Sequence, residues 1–184
     1  MNRTLPRLAL LVFAGLAGAA LALPEDRDQP IRISADRAEV DDATGIATYR
    51  GDVRMDQGTL SVTADTLVIE TEDESVTRIT ARGAADGEPA RYRQLPAKDE
   101  EPVEANAATI VYLTTDERIE LDGNARLSQA EDRFEGDRIV YDLRAQTVAA
   151  TSTREDSRVN FTIRPERIPG AGRAAETAAE TAAE

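Results

Sequence analysis

The 184-residue sequence contains no cysteine, no histidine and no tryptophan, and only 4% of its residues are aromatic. Without cysteine, no disulfide can hold the fold together, so a hydrophobic core and hydrogen bonds must do so, as a domain of about 150 residues can. The commonest general base, the thiolate nucleophile and the usual transition-metal ligands are also missing. No nucleophile-elbow, phosphate-loop or H-E-x-x-H pattern occurs. We therefore expect no enzyme activity, no metal and no cofactor.

Carboxylates are the remaining residues that could perform acid–base chemistry or bind a metal. The acidic runs at residues 41–42, 72–74 and 99–101 each fall at a predicted turn, where solvated charge is the usual reason for such a cluster. No calcium loop of the D-x-D-x-D-G type is present. A regularly spaced set could suggest a metal ring, but spacing along a stack favours hydrogen-bonded turn residues. This set is Asp36, Asp65, Asn106 and Asp137.

The first 22 residues have the three-part organisation of a secretory signal peptide. Arg3 and Arg7 supply positive charge, and an uncharged apolar run follows over about residues 8–21. A small-x-small cleavage site, Ala-Leu-Ala, closes the run at residues 20–22. An uncleaved membrane anchor is the alternative, but the run is shorter than the roughly 20 residues that a spanning helix needs. We expect cleavage before Leu23 and secretion of the mature protein.

The chain is acidic, with 22 basic and 35 acidic residues and a formal charge of −13. Loss of the leader would remove two basic residues and leave 20 basic against 35 acidic residues, a net charge of −15. Such a chain lacks the basic footprint that nucleic-acid phosphates need, and an anionic membrane surface would repel it. No second apolar run could span a bilayer. We expect a soluble mature protein that binds no nucleic acid.

Apolar and polar residues alternate with a period of two from Ile31 to Arg164. Valine, isoleucine and threonine are frequent, and turn residues interrupt the pattern about every 6–10 positions, as in half-buried antiparallel strands. No segment keeps a helical apolar stripe for three turns. The pattern predicts one all-β domain over residues 23–167, built from about 14–16 short strands.

Two short elements recur along this domain. The first is a small residue followed by Asp or Asn, at residues 35–36, 64–65, 105–106 and 136–137. The second is a glycine turn, at Gly51, Gly83 and Gly123. Both favour bends, because glycine accepts a positive φ and Asx side chains hydrogen-bond to nearby backbone. Repeated β units predict a quasi-one-dimensional stack that is open at both ends.

Residues 87–101 lengthen the spacing between the second and third units. Residues 89–94 are typical of a strand, 95–101 of a polar hairpin tip, and 102–105 of a return strand. A floppy acidic loop is the alternative.

Beyond the domain, residues 168–184 are rich in alanine and glutamate and have no apolar face, so we expect a disordered, solvated tail.

Several segments, in order and spacing, resemble one known family. They are residues 29–36, 47–60, 64–69, 87–94, 102–106, 121–125 and 135–141. With them the chain is similar, over about residues 29–165, to the LptA-type, OstA-like family of lipopolysaccharide-export proteins. The resemblance implies a slightly twisted antiparallel β-jellyroll of about 16 short strands, open at both ends.

The resemblance also implies a function and partners. Such proteins bridge the periplasm of Gram-negative bacteria, and their apolar interior carries lipopolysaccharide from the inner to the outer membrane. Implied partners are lipopolysaccharide, the inner-membrane jellyroll protein LptC, the jellyroll domain of the outer-membrane assembly protein LptD, and further copies stacked head to tail. Unpaired sheet edges would invite such strand addition. The acidic chain should repel an anionic head group, so sugars and phosphates should stay in solvent or be screened by local arginines or divalent cations.

The alternating stripe and the resemblance together predict two sets of site residues. Lipid contacts are expected at Ile31, Ile33, Val40, Val53, Met55, Leu67, Ile69, Ile110, Ile119, Leu121, Ile139 and Tyr141. The partner interface is expected at Gln29, Ile31, Ile33, Val159, Phe161 and Ile163.

Other functions remain open on sequence alone. A filament-forming β-scaffold with a closed core is the main alternative, because the mostly aliphatic inward positions suit either a close-packed sandwich or an apolar cleft. A glycan-binding or glycan-cleaving jellyroll is weaker, since it would need aromatic platforms and a suitably spaced carboxylate pair.

Overall fold

The computed structural model describes residues 26, 28–85, 87–96, 98, 100–152 and 158–163. Within them the chain forms one antiparallel 12-stranded sheet. Its strands are β1 Arg32–Ser34, β2 Arg37–Asp41, β3 Ile46–Gln57, β4 Leu60–Glu72, β5 Ser75–Arg82, β6 Ala90–Gln94, β7 Val103–Ala107, β8 Thr109–Leu113, β9 Arg118–Gln129, β10 Asp132–Asp142, β11 Thr147–Thr151 and β12 Asn160–Thr162. The all-β prediction is confirmed, whereas the leader and the 168–184 tail lie outside the described residues.

The sheet folds into two facing layers, because four long strands run through both of them. The A layer has the strand order β2-β3-β4-β5-β8-β9-β10-β11, and the B layer has the order β1-β3-β4-β6-β7-β9-β10-β12. The first halves of β3 and β9 and the second halves of β4 and β10 belong to the A layer. Across the interior, the rings of Tyr92 in β6 and Tyr112 in β8 pack edge to face, with 6.1 Å between their centroids. This arrangement is the predicted antiparallel jellyroll.

Glycine bends explain why the structure has fewer strands than predicted. The pairing of β3 with β4 shifts register between Arg50 and Val53, at Gly51, whose φ is +81°. A Cβ on Gly51 would lie 2.3 Å from Oδ2 of Asp36, so glycine is required both for its φ and for space. Gly123, with a φ of +82°, has the equivalent place in β9. These glycines bend strands that continue, so eight segments in each layer come from only twelve strands.

The β6–β7 hairpin confirms the strand prediction for residues 89–94 and 102–105. Ala90 pairs with Ala107 and Gln94 pairs with Val103. The hairpin lies between β4 and β9 in the B layer, as β5 and β8 lie between the same strands in the A layer. The alternative of a floppy acidic loop was therefore wrong.

Both ends of the stack are open, as predicted. At one end, β1 and β2 pair only with β3, and at the other end β11 and β12 pair only with β10, among the strands of the described ranges. Among the described strands, each terminal strand therefore has one row of backbone N–H and C=O groups without a strand partner.

Candidate functional site

Two rows of inward side chains cross the whole A layer. Residues paired across antiparallel strands point to the same face, so the register defines each row. The row near the free strand ends is Val40, Ala47, Ile69, Ile79, Tyr112, Ile119, Tyr141 and Val148. The row near the bend is Ala38, Tyr49, Leu67, Ala81, Ile110, Leu121, Ile139 and Ala150.

The B layer faces these rows with its own apolar row. It consists of Ile33, Met55, Val62, Tyr92, Ala105, Leu127, Phe134 and Phe161. Each row begins at one open edge of the stack and ends at the other. The interior therefore presents an apolar path along the stacking axis, which we call the interior groove.

Two cavities open into the interior groove. The first has a volume of about 690 Å³ and lies between the free ends of the two layers, near the β1 end. Its apolar lining is Ile31, Leu60, Val76, Ile79 and Tyr112. The second, of about 530 Å³, lies at the β12 end. Its apolar lining is Val103, Leu127, Phe134, Tyr141, Ala145, Val148, Phe161 and Ile163.

Polar side chains hold the rim of the B layer at the mouth of the first cavity. The Thr59 backbone N–H donates to Oδ1 of Asp26 over 2.9 Å, and Nε2 of Gln57 donates to the backbone oxygen of Gln29 over 3.1 Å. The Tyr92 hydroxyl donates to Oε1 of Gln94. Burial raises the pKa of Tyr92 well above its usual value, so its hydroxyl stays neutral and remains a donor. The rim is thus polar and ordered above an apolar interior.

Most predicted lipid-contacting residues lie deep in the interior groove. Nine are buried, namely Val53, Met55, Leu67, Ile69, Ile110, Ile119, Leu121, Ile139 and Tyr141. Ile31 and Ile33 are half-buried and pack against the core. Val40 faces the same way but is 61% exposed, because β2 is an edge strand that no other described strand covers.

The predicted interface residues lie at the two open ends. Gln29 is exposed beside β1, and Ile163 is half-buried beside β12. Val159 and Phe161 are 43% and 48% exposed. The Phe161 ring packs edge to face on Phe134, with 4.9 Å between ring centroids. The structure brings each group of residues together at one end but keeps the two groups apart.

Sequence reasoning missed several inward residues of the interior groove, most of them in the B layer. The missed B-layer residues are Leu60, Val62, Tyr92, Val103, Leu127 and Phe134, and the missed A-layer residues are Ile79 and Tyr112. The signal was present in part, because Tyr92 alternates with Arg91 and Arg93 within a predicted strand. Of these three residues, Tyr92 alone is buried.

Open edges, two layers and a continuous apolar interior define a class, the antiparallel β-jellyroll modules. The comparisons with known proteins agree. Residues 32–147 match the family described as LptA/(LptD N-terminal domain) LPS transport protein. The chain belongs to this family.

Similar proteins come from several bacteria. The lipopolysaccharide export system protein LptH of Pseudomonas aeruginosa is 38% identical over 170 residues, which are 89% of this chain and 95% of that protein. LptA of Escherichia coli K12 is 29% identical over 161 residues, 88% of this chain and 85% of that protein. The crystal structure of P. aeruginosa LptH, described as a periplasmic component of the lipopolysaccharide transport device, superposes with a TM-score of 0.68 at 37% identity. It covers 77% of this chain and all of that one.

Two further features bear on the site. In the parts of the chain that the structure describes, no group of three or more acidic side chains could hold a metal ion. The same residues include no helix with the length and apolar character to cross a membrane.

Proposed function

We propose that the protein carries lipopolysaccharide between the inner and outer membranes, with the acyl chains in the interior groove. The observation that carries this proposal is the continuity of the apolar rows from the β1–β2 edge to the β11–β12 edge. A closed-core scaffold would be close-packed inside, whereas this interior has cavities of about 690 and 530 Å³, one toward each end of the apolar path. The names of the relatives, which are export-system proteins, support the same cargo.

Acyl chains can reach the buried middle of the interior groove if the layers part at their free ends. The long strands β3, β4, β9 and β10 join the layers on the bend side. On the other side the layers meet through side chains, such as the Tyr92 and Tyr112 rings. Opening there would expose an apolar slot to the lipid and leave the saccharide in solvent.

The bridge would assemble end to end. Further copies would extend the stack through the β1–β2 edge and the β11–β12 edge, and the jellyroll domains of LptC and LptD would cap it at the two membranes. Strand addition at an unpaired edge supplies main-chain hydrogen bonds, and the apolar rows would continue from one module into the next.

Crosslinking tests the interior groove directly. A photo-crosslinking residue at Ile69 should capture lipopolysaccharide, because this side chain points between the layers and is 6% exposed. The matched control is the neighbouring Val68, which points to the outer face of the same strand and pairs with Thr48 and Thr80. Mass spectrometry of the adducts gives the measurement. Equal capture at the two positions would contradict binding between the layers.

Export should remove the leader. We expect the mature protein to begin at Leu23 and to be found in the periplasm, because residues 1–22 have the charge, apolar run and small-residue site of a signal peptide. Intact-mass measurement of protein from the periplasmic fraction checks the start site. A membrane-bound chain that retains residues 1–22 would instead indicate an anchored protein.

A further inference from the structure

The outward face of the B layer is basic, although the chain as a whole carries a charge of −13. Two rows of paired residues form this face, and they contain six arginines against three carboxylates, a net charge of +3. The arginines are Arg32, Arg54, Arg91, Arg93, Arg126 and Arg133. The carboxylates are Asp56, Glu104 and Glu135.

The outward face of the A layer is balanced instead. Its three rows contain six arginines and six carboxylates, so its net charge is zero. The excess of negative charge therefore lies elsewhere, and the two sides of the molecule differ electrostatically. Such a local excess of one sign attracts an oppositely charged ligand even when the net charge does not.

A cavity of about 570 Å³ lies on the basic face, across the neighbouring strands β4, β6, β7, β9 and β10. Its cationic lining is Arg91, Arg93, Arg126 and Arg133. Along one row of this face, Asn106 lies between Arg91 and Arg126. Along the other row, Glu104 and Ser128 lie between Arg93 and Arg133. Ser61, Thr63 and Glu135 complete the polar lining of the cavity. We call the four arginines, with Thr63, Asn106 and Ser128, the arginine cleft.

The cations of the arginine cleft are only partly neutralised. Arg93 pairs with Glu104 at 3.2 Å and Arg126 pairs with Glu135 at 3.3 Å. Within the described part of the chain, the one ion pair of Arg91 is a 3.7 Å contact with the exposed Glu88. Arg133 forms no ion pair with any of the described residues.

On the part of the basic face nearer the β1 end, a carboxylate neutralises the arginines more fully. The pKa of Asp56 is lowered, chiefly by a hydrogen bond from the Ser61 side chain and also by Arg54 and Arg32. Nε of Arg54 lies 3.1 Å from Oδ2 of Asp56. Available positive charge is therefore concentrated in the arginine cleft, toward the β12 end.

We propose that the arginine cleft binds the phosphate-bearing saccharide of the glycolipid whose acyl chains occupy the interior groove, an inference that rests on the function proposed above. Guanidinium groups bind phosphate through paired, charge-assisted hydrogen bonds, and hydroxyl and amide side chains suit sugar hydroxyls. The acidic remainder of the chain repels the same ligand.

The position of the arginine cleft makes it reachable from the mouth of the interior groove. Arg93 precedes Gln94, which lines the first cavity, and Arg133 follows Asp132, which lines the second. Successive strand residues are about 3.3 Å apart and point to opposite faces, so the cleft and the cavities share the free rim of the B layer. A saccharide that leaves the mouth can turn over this rim while the acyl chains stay between the layers.

The test uses the deacylated, phosphorylated oligosaccharide released from lipopolysaccharide, which has no acyl chain for the interior groove. Titration followed by NMR should show binding to the purified protein that weakens as salt is raised. The double variant Arg91→Ala/Arg133→Ala should bind on the order of tenfold more weakly, because two charge-assisted contacts are lost. The matched control is Arg37→Ala/Arg82→Ala, which removes two exposed arginines from the outward face of the A layer and should bind as the original chain does.

Three results would overturn the proposal: no binding of the oligosaccharide, equal weakening in both double variants, or undiminished binding after its phosphates are removed enzymatically. None of them bears on the interior groove, which the Ile69 crosslink tests with the acylated lipid. Conversely, a failed crosslink together with oligosaccharide binding that depends on Arg91 and Arg133 would reject the acyl-chain site alone.

Discussion

The Leu121→Ala variant is expected to lose about 2–5 kcal/mol in its free energy of unfolding, the range found when a buried leucine is truncated in a packed core. Leu121 is completely buried, and its neighbours in the row are Ile110 and Ile139. It lies in the A-layer half of β9 and belongs to the core cluster between the layers. Urea denaturation followed by circular dichroism gives the measurement.

The control for this prediction is Val40→Ala, a truncation on the same interior face. Val40 is 61% exposed on the edge strand β2, so its loss should change the free energy of unfolding by no more than about 0.5 kcal/mol. A similarly small effect at Leu121 would mean that the layers relax around the missing side chain. The middle of the interior groove would then be more deformable than its packing indicates.

The contrast between Leu121 and Val40 separates two roles within one predicted stripe. Residues in the middle of each row are buried between the layers, and under the proposed function lipid would reach them only if the layers part. Residues at the edges, such as Val40 and Phe161, are already exposed and stabilise their own chain little. Their apolar surface would be buried if the next module in a stack covered it.

Side-chain orientation was the most predictable part of the site. Alternation with a period of two assigns Ile119 and Leu121 to one face whatever their strand partners are, and the structure confirms that face. Alternation does not reveal the layer. Met55 and Leu67 follow the same pattern, yet the first lies in the B layer and the second in the A layer.

The strand count could not be predicted because a bend and a turn have the same local requirements. Gly51 and Gly123 have positive φ values, as turn glycines do. What makes them bends is that β3 and β9 keep their pairing on both sides of each glycine. That pairing depends on residues distant in sequence, and a local pattern does not contain it.

The arginine cleft was hidden for the same reason. Arg91, Arg93, Arg126 and Arg133 each alternate with inward residues, as Arg37 and Arg82 do in the other layer. Only the register of β6, β7, β9 and β10 brings the first four together. Net charge predicts repulsion of an anionic head group, and the sequence pattern does not indicate which local arginines could screen it.

Deletion of residues 158–184 should leave the protein monomeric at concentrations at which the full chain associates head to tail. The deletion removes β12 and with it the exposed Val159 and Phe161. Burial of such side chains is worth about 1.5–3 kcal/mol each, so the association constant should fall on the order of a hundredfold or more. The truncated chain should still fold, because β12 pairs with β10 over only three residues. Analytical ultracentrifugation over a concentration series provides the measurement.

The matched control for this deletion removes residues 168–184 alone and keeps β12. That variant should associate as well as the full chain or better, because the removed segment carries mainly acidic charge, which repels a second acidic copy. The two ends of a module differ, so the contact is head to tail, nothing closes it, and the mean mass should rise steadily with concentration. If the full chain and the control both sediment as monomers at every concentration, the proposed head-to-tail self-association is wrong. The β1–β2 and β11–β12 edges would then remain available for the one-to-one partner contacts proposed above.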